Sequence, residues 1–323
     1  MRPVSYERAR TVGQAARMSA SAGAMPIAGG TNLLDLSKLE VETPSRLVDI
    51  RQIDALRGVR ETTEGEVRIG ALVSNAELAA HPVIRARYPL LSRAILAGAS
   101  GQIRNMASTG GNLLQRTRCV QFYDTSSACN KRQPGSGCGA LHGANRMNAI
   151  VGGSEHCIAV HPSDMAVAMR VLDAVVEIQG ADGAVRHVPI GAFYRLPGDT
   201  PQNETVVRQG DIITAVLLPP APPGQQFYRK VRDRASYAFA LVSVGAVVAV
   251  EDGRFSTVRF GFGGIAPKPW RVEAAEASLK GRAVSREAVR DACDMALSGA
   301  IGRGDNDFKI PLAHHTLAAV LAV

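Results

Sequence analysis

The fold is decided by the stretch Pro26-Ile27-Ala28-Gly29-Gly30-Thr31-Asn32-Leu33-Leu34, in which a short apolar run ends at two adjacent glycines. The run predicts a strand and the glycines predict a tight turn, because residues without a Cβ adopt positive φ at little cost. Consecutive backbone N–H groups in such a turn can point at one anion and cradle a phosphate. The stretch therefore indicates a phosphate-binding loop that follows a strand.

A second glycine segment, Ser108-Thr109-Gly110-Gly111-Asn112, repeats this pattern further along the chain. Neither segment has the spacing of a Rossmann fingerprint or of a P-loop. Each segment alone is also compatible with an ordinary tight turn, in which Asn and Thr side chains make local hydrogen bonds. The two together, each ending in Asn-Leu, indicate a nucleotide whose pyrophosphate is clamped from both sides.

The rest of the chain predicts a soluble α+β protein in three segments, 1–57, 58–220 and 224–323, with a boundary at the proline pairs near residue 220. A chain of 323 residues can bury two or three cores. Helices are expected from Tyr6, over 163–172 and, as a closing helix, over 306–323. An antiparallel meander is expected over 226–263.

The net charge, the absence of long apolar runs and the first residues limit the classes of function and the locations that we expect. The net charge of +8 suits an anionic cofactor or acidic partners, and no nucleic-acid-binding motif accompanies it. No long apolar run predicts a membrane span. Residues 1–17 lack the apolar core of a secretory signal. The expected location is the cytoplasm, or the periplasm as part of a complex that is exported folded with a partner's signal.

Four of the five cysteines fall in one stretch, 115–157, which lacks hydrophobic periodicity and resembles an insertion folded around something other than apolar side chains. They are Cys119, Cys129, Cys138 and Cys157, whereas Cys293 lies alone in a helical pattern. Without a signal peptide such a group argues for metal before disulfides. The spacing is neither that of compact ferredoxins nor that of zinc knuckles. An iron–sulfur cluster, a zinc staple and a disulfide staple all stay open.

The charge of the insertion favours the iron–sulfur cluster, which is an anion with four thiolates. Five basic residues surround the cysteines and only Asp124 and Glu155 oppose them; the five are Arg116, Arg118, Lys131, Arg132 and Arg146. Four glycines are expected to bring backbone N–H groups to the sulfurs, namely Gly135, Gly137, Gly139 and Gly143.

Three motifs taken in order resemble the FAD signatures of the flavin subunits of xanthine dehydrogenases and carbon monoxide dehydrogenases. They are Ala28 to Leu33, Thr109 to Leu113, and Pro162-Ser163-Asp164-Met165. Lys230 to Arg234 and Gly263 to Trp270 resemble the C-terminal domain of the same family. The insertion resembles that of the flavin and iron–sulfur subunits of bacterial periplasmic aldehyde oxidoreductases, including Cys129 to Arg132 and Pro134 to Cys138.

The resemblance implies a two-subdomain FAD-binding fold of the PCMH type, followed by a sheet-plus-helices flavoprotein domain. It implies that Pro26 to Leu34 and Ser108 to Asn112 hold FAD, mainly its pyrophosphate and ribityl chain. Asp164 would hydrogen-bond the sugar-like part, Ile213 would pack on the ring system, and Lys230 would lie next to the flavin. On the sequence alone Asp164 is interpreted equally well as a helix N-terminal carboxylate. For Lys230 the sequence alone favours a solvated strand lysine.

The resemblance further implies a [4Fe–4S] cluster on the four cysteines and a place in a heterotrimeric molybdenum hydroxylase. The partners would be a [2Fe–2S] small subunit and a large subunit with the molybdenum cofactor, where an aldehyde is oxidised. The present chain would relay electrons to an external acceptor and would not oxidise the substrate alone. The alternatives are a self-contained flavin oxidase and a zinc-stabilised binding module with no redox role.

Overall fold

The computed structural model describes residues 1–321 and builds them into three β-sheets with helices between and around them. The last two residues of the expected closing helix, 322–323, lie outside the described part. Among residues 1–321, no helix is both long enough and apolar enough to cross a membrane. The architecture is α+β, and each sheet takes its strands from one stretch of the chain.

The first sheet is parallel, with the strand order β1-β3-β2; its strands are β1 (Ser5–Arg8), β2 (Ala24–Ile27) and β3 (Arg46–Asp49). Helices α1 (Val12–Ser19) and α2 (Leu33–Lys38) connect the strands. Tyr6 lies in β1 and not in a helix as expected. Its hydroxyl donates to Asp49 at 2.5 Å, so tertiary pairing with β3 overrides a weak local pattern.

The second sheet is antiparallel, with the order β4-β5-β8-β6-β7; its strands are β4 (Val59–Glu61), β5 (Val67–Gly70), β6 (Val175–Gln179), β7 (Val185–Pro189) and β8 (Ile212–Leu218). Its helices are α3 (Asn75–Ala80), α4 (Pro82–Arg87), α5 (Pro89–Ala97), α6 (Gly101–Met106), α7 (Thr109–Leu113), α9 (Asp164–Val171) and α10 (Ile190–Phe193). Ser163 caps α9 by accepting the N–H of Ala166, which fixes Asp164 in the first turn.

The third sheet is an antiparallel meander, as expected, made of β9 (Gln225–Val231), β10 (Val242–Glu251) and β11 (Arg254–Gly263). Helices α11 (Glu273–Leu279), α12 (Arg286–Ala296) and α13 (Lys309–Val320) pack against it. Helices α5 and α9 contact each other and the strands of this sheet, so the second and third sheets share a core.

The insertion at 115–157 has one regular element, the four-residue helix α8 (Val120–Tyr123). Turns and side-chain to backbone hydrogen bonds hold the remainder. Arg132, for example, donates to the carbonyls of Gln121 and Phe122, each at 2.8 Å. A small apolar cluster around Phe122 and three of the cysteines is the main buried contact of this region. The insertion therefore has little regular structure to support itself.

Candidate functional site

Two cavities meet at the first glycine loop. The larger cavity, of about 580 Å³, lies between α5, α6 and β9. The smaller cavity, of about 210 Å³, lies beside the loop itself, the end of β2 and the start of β8. Thr31, Asn32 and Gly111 line both cavities. An elongated ligand could therefore extend from one cavity into the other past the glycines.

The first glycine loop offers unpaired donors. Gly30 has φ +70°, which turns the chain from β2 into α2. Gly29 faces the carbonyl oxygen of Met106, and a Cβ there would lie only 1.8 Å from it. Among residues 1–321, the backbone N–H groups of 29–32 donate to no other protein group. Asn32 Nδ2 is buried without a partner, while its Oδ1 accepts the Arg116 N–H at 2.8 Å. These donors match what a pyrophosphate requires.

The second glycine segment differs from the first, because it forms the start of helix α7. Ser108 caps this helix by accepting the Gly111 N–H at 3.2 Å. The N–H groups of Thr109 and Gly110 donate to the carbonyls of Val73 and Ala71, each at 2.9 Å. Its donors are thus used within the protein, and the segment contributes a surface free of side chains at Gly110 and Gly111. The expectation that it repeats the logic of the first loop does not hold in this respect.

The predicted FAD residues come together around these cavities with two exceptions. Leu34 packs on Gly30, and Thr109 donates its hydroxyl to the Val73 carbonyl at 2.9 Å. Residues 26–33, Ser108, Gly110, Gly111 and Ile213 line the smaller cavity, whereas Asn112, Asp164 and Lys230 line the larger. Ile213 and Lys230 therefore lie in different cavities.

Asp164 and Lys230 form a buried ion pair in the wall of the larger cavity. Lys230 Nζ lies 2.8 Å from Asp164 Oδ2, with 4% and 9% of the two side chains exposed. Tyr228 donates its hydroxyl to Asp164 Oδ1 at 2.5 Å. Burial, and then the Asp164 charge, raise the pKa of Tyr228 well above its usual value, so this phenol stays protonated. The sequence assigned Asp164 and Lys230 separate roles and gave no signal that they contact each other.

The four clustered cysteines line one small cavity, and all are free thiols. Cys119, Cys129 and Cys157 are buried, and Cys138 is partly buried. In the part of the chain that the structure describes, no three His, Cys, Asp or Glu side chains converge closely enough to hold a single metal ion. Burial raises the pKa of Cys119, and raises that of Cys157 to about 11, so metal binding must displace thiol protons.

The donors and charges around these cysteines differ from the expected set. Gly137 and Gly139 donate their N–H groups to Asn130 and Ala128, not to sulfur. The Asn148 side chain donates to Cys119 Sγ and the Ala159 N–H donates to Cys157 Sγ, each at 3.4 Å. No sequence signal marked either residue.

Of the five basic residues counted around the cysteines, Lys131 alone lines their cavity. The others are occupied elsewhere: Arg116 pairs with Glu42 and Glu204, Arg118 with Asp35, Arg146 with Asp233, and Arg132 binds backbone carbonyls. The opposing acids thus come from distant parts of the chain, not from Asp124 and Glu155.

A buried lysine connects the insertion to the last helix. Lys309 is fully buried and donates to the carbonyls of Asn148 and Gly264, at 2.9 and 2.8 Å. The side chain of Asn306 also donates to the Asn148 carbonyl, at 3.4 Å. Burial, and the nearby charge of Arg146, lower the pKa of Lys309 to about 7. The third segment therefore holds the backbone of Asn148, whose side chain reaches Cys119.

Comparison with known families agrees with this geometry over nearly the whole chain. Residues 2–221 match the FAD binding domain in molybdopterin dehydrogenase, and residues 226–319 match the CO dehydrogenase flavoprotein C-terminal domain. The chain belongs to this family of FAD-binding oxidoreductase subunits, and the predicted fold class is confirmed.

The relatives include subunits of several oxidoreductases. The chain is 53% identical, over 100% of its length and 98% of the relative, to the aldehyde oxidoreductase FAD-binding subunit of Escherichia coli. It is 27% identical to the carbon monoxide dehydrogenase medium chain of Afipia carboxidovorans, over 97% of this chain and 92% of that one. The structure of carbon monoxide dehydrogenase from Hydrogenophaga pseudoflava matches 99% of this chain and 96% of that chain, with a TM-score of 0.77 and 26% identity.

Proposed function

We propose that this chain is the FAD- and [4Fe–4S]-binding electron-transfer subunit of a heterotrimeric molybdenum-containing aldehyde oxidoreductase. Its partners are a [2Fe–2S] small subunit and a large subunit carrying the molybdenum cofactor. The observation that carries the proposal is the pair of cavities joined at a glycine loop with unpaired donors, in a chain 53% identical along its length to an aldehyde oxidoreductase FAD-binding subunit.

FAD would lie across both cavities, clamped between 1–57 and 58–220 and closed over by 224–323. The N–H groups of 29–32 and Asn32 Nδ2 would hold its pyrophosphate. Ile213 would supply an apolar surface for one of the ring systems of FAD in the smaller cavity. Asp164 would bind a hydroxyl of the sugar-like part. Lys230, paired with Asp164, would place its ammonium group next to the flavin and favour the anionic reduced form of the flavin.

The chain's own residues fit a relay role. Bound FAD supplies the chemistry of accepting an electron pair and releasing single electrons. The surrounding residues bind and orient it, and Tyr228 remains a neutral donor that fixes Asp164. No molybdopterin-binding pattern is found in the sequence, so the aldehyde is oxidised on the partner. The alternative, a self-contained flavin oxidase, requires that an aldehyde reduce the flavin of the isolated chain.

The four cysteines would each bind one iron of the cluster. Thiolates that bind separate irons do not have to converge on one point. A cavity lined by four thiols, three of them buried, and by no carboxylate suits soft iron–sulfur ligation. The Asn148 and Ala159 donors to sulfur are the outer-shell contacts such a site uses. Zinc, which would need its four ligands around a single ion, is the alternative occupant.

The test is the visible spectrum of the anaerobically purified complex, with flavin, iron and zinc counted on the same sample. The expected result is one flavin and about four irons beyond those of the [2Fe–2S] subunit. Cys129→Ser should lose this iron and Cys293→Ala, which changes a buried cysteine remote from the cavity, should keep it. Zinc in place of these four irons would make the cysteines a structural zinc site, and a preparation without flavin would overturn the proposal.

A further inference from the structure

Lys131 is a buried cation in the wall of the cysteine cavity. It follows Cys129 by two residues, and only 6% of its side chain is exposed. Its Nζ lies 2.8 Å from Glu204 Oε1 and 2.8 Å from the Pro201 carbonyl oxygen. The ammonium group is thus held at a fixed position by a segment that is distant in sequence.

Lys131 lines the cavity, whereas Glu204 contacts Lys131 without lining the cavity, and the two charges have opposite effects. Glu204 also pairs with Arg116, so it keeps a positive partner even without Lys131. Burial opposes ionisation of Glu204, but Lys131 and Arg116 hold its pKa below the usual value. The guanidinium of Arg132, next in sequence, is bound by the carbonyls of Gln121 and Phe122 and does not line the cavity.

Charge at this position acts on the electron affinity of whatever the thiols bind. Reduction of a [4Fe–4S] cluster adds one electron and one negative charge to an anionic group. A buried ammonium stabilises the reduced form and raises the reduction potential, and a buried carboxylate does the opposite. The effect of Lys131 is strong because only 6% of its side chain is exposed, whereas Glu204, with 25% exposed, acts more weakly.

We infer that the Lys131–Glu204 ion pair sets the reduction potential of the cluster proposed on the four cysteines. The inference rests on the proposed cluster, and it assigns to these two side chains a tuning role that is separate from iron ligation. Lys131 raises the potential, and Glu204 limits that rise while fixing the position of the ammonium.

The experiment is an EPR-monitored redox titration of the assembled complex with dithionite, which supplies the electron. Lys131→Met removes the cation and leaves the carboxylate, so the potential should fall. Glu204→Gln leaves Lys131 and Arg116 without the carboxylate, so the potential should rise. Arg146→Met removes a cation of the insertion that pairs at the surface with Asp233, and it should leave the potential unchanged.

The opposite signs separate a charge effect from a structural one, because loosening the site would move both variants alike. With iron content equal to wild type, shifts in the same direction or no shift in either variant would overturn the inference. If Lys131→Met fails to retain iron, Glu204→Gln decides alone, and a potential that does not rise overturns it. Absence of iron from the wild-type chain would instead overturn the proposed cluster.

Discussion

The FAD region and the cysteine insertion are built in different ways. The walls of the two cavities proposed for FAD combine regular elements with the segments that connect them. The regular elements are the end of β2, α2, α3, α5, α6, α7, α9, β8 and β9, and the other walls include the first glycine loop and residues of the insertion, among them Arg116 and Arg118. The cysteine cavity comes from the insertion at 115–157 together with its flanking residues, where α8 is the single regular element. One region is thus organised by backbone hydrogen bonding and shared cores, and the other by turns, a small apolar cluster and its thiols.

Because of this difference, we expect the two regions to depend differently on their cofactors for keeping their structure. A cavity formed by packed helices and strands keeps its shape when its ligand leaves. A segment with few apolar contacts and little regular structure opens easily unless bonds to a metal close it. The following predictions test that contrast.

The largest effect is expected from iron removal. Stripping iron from the complex should raise the rate of proteolytic cleavage within 115–157 by at least about 100-fold, because local opening then costs little free energy. Removal of FAD should leave this segment protected. Cleavage sites are mapped by mass spectrometry on the same samples. Equal protection with and without iron would show that packing alone keeps the insertion folded. The proposed difference between the two regions would then be wrong.

Gly29→Ala should abolish most FAD binding. The new Cβ would lie 1.8 Å from the Met106 carbonyl oxygen, so the first glycine loop must move away from α6. We expect the FAD dissociation constant to rise about 1000-fold, or about 4 kcal/mol. Gly101→Ala is the matched control, since a Cβ there meets nothing within 4 Å. Iron content should stay at the wild-type level in both variants, and a loss in Gly29→Ala would contradict the independence of the two regions.

The Asp164–Lys230 pair should show strong coupling in a double-mutant cycle. Asp164→Asn leaves a buried ammonium without its carboxylate, which costs about 3 kcal/mol of unfolding free energy. Adding Lys230→Met should recover a large part of that loss, because no unpaired charge remains. Urea unfolding of the four proteins without FAD measures the coupling. If the losses of unfolding free energy in the two single variants add up in the double variant, the two side chains do not stabilise each other in the protein without FAD.

The smallest effect, taken between pH 7 and 9, concerns Lys309, which connects the insertion to α13. Its pKa is lowered from 10.5 to about 7 in the folded chain, so between these values the unfolded chain binds more protons. Stability should therefore rise with pH from 7 to 10.5, by about 1 kcal/mol per pH unit from this group. Below pH 7 both states are protonated, and the dependence should vanish. Urea unfolding of wild type and Lys309→Met at pH 7 and 9 measures how much of the pH dependence comes from Lys309. The prediction is wrong if the unfolding free energy of the two proteins changes by the same amount between these pH values.

Much of the FAD region could be predicted from sequence because its signals are local. An apolar run before Gly29-Gly30 identifies a strand and turn, and Ser163 before Asp164 identifies a helix start, from the chemistry of a few neighbouring residues. The second glycine segment shows the limit. Its residues resemble the first, yet Val73 and Ala71, distant in sequence, accept its N–H groups and convert it from a phosphate loop into a helix start.

Residue types at short spacing were enough to predict the family, the fold class, the glycine loops and the grouping of four cysteines. They could not predict which donors remain free, that Asp164 pairs with Lys230, or that Lys131 alone among the five basic residues lines the cysteine cavity. These facts depend on partners such as Glu204 and Asp233, which are far away in the chain. A charge count along the sequence cannot assign such partners, because long side chains reach whichever opposite charge the fold brings near.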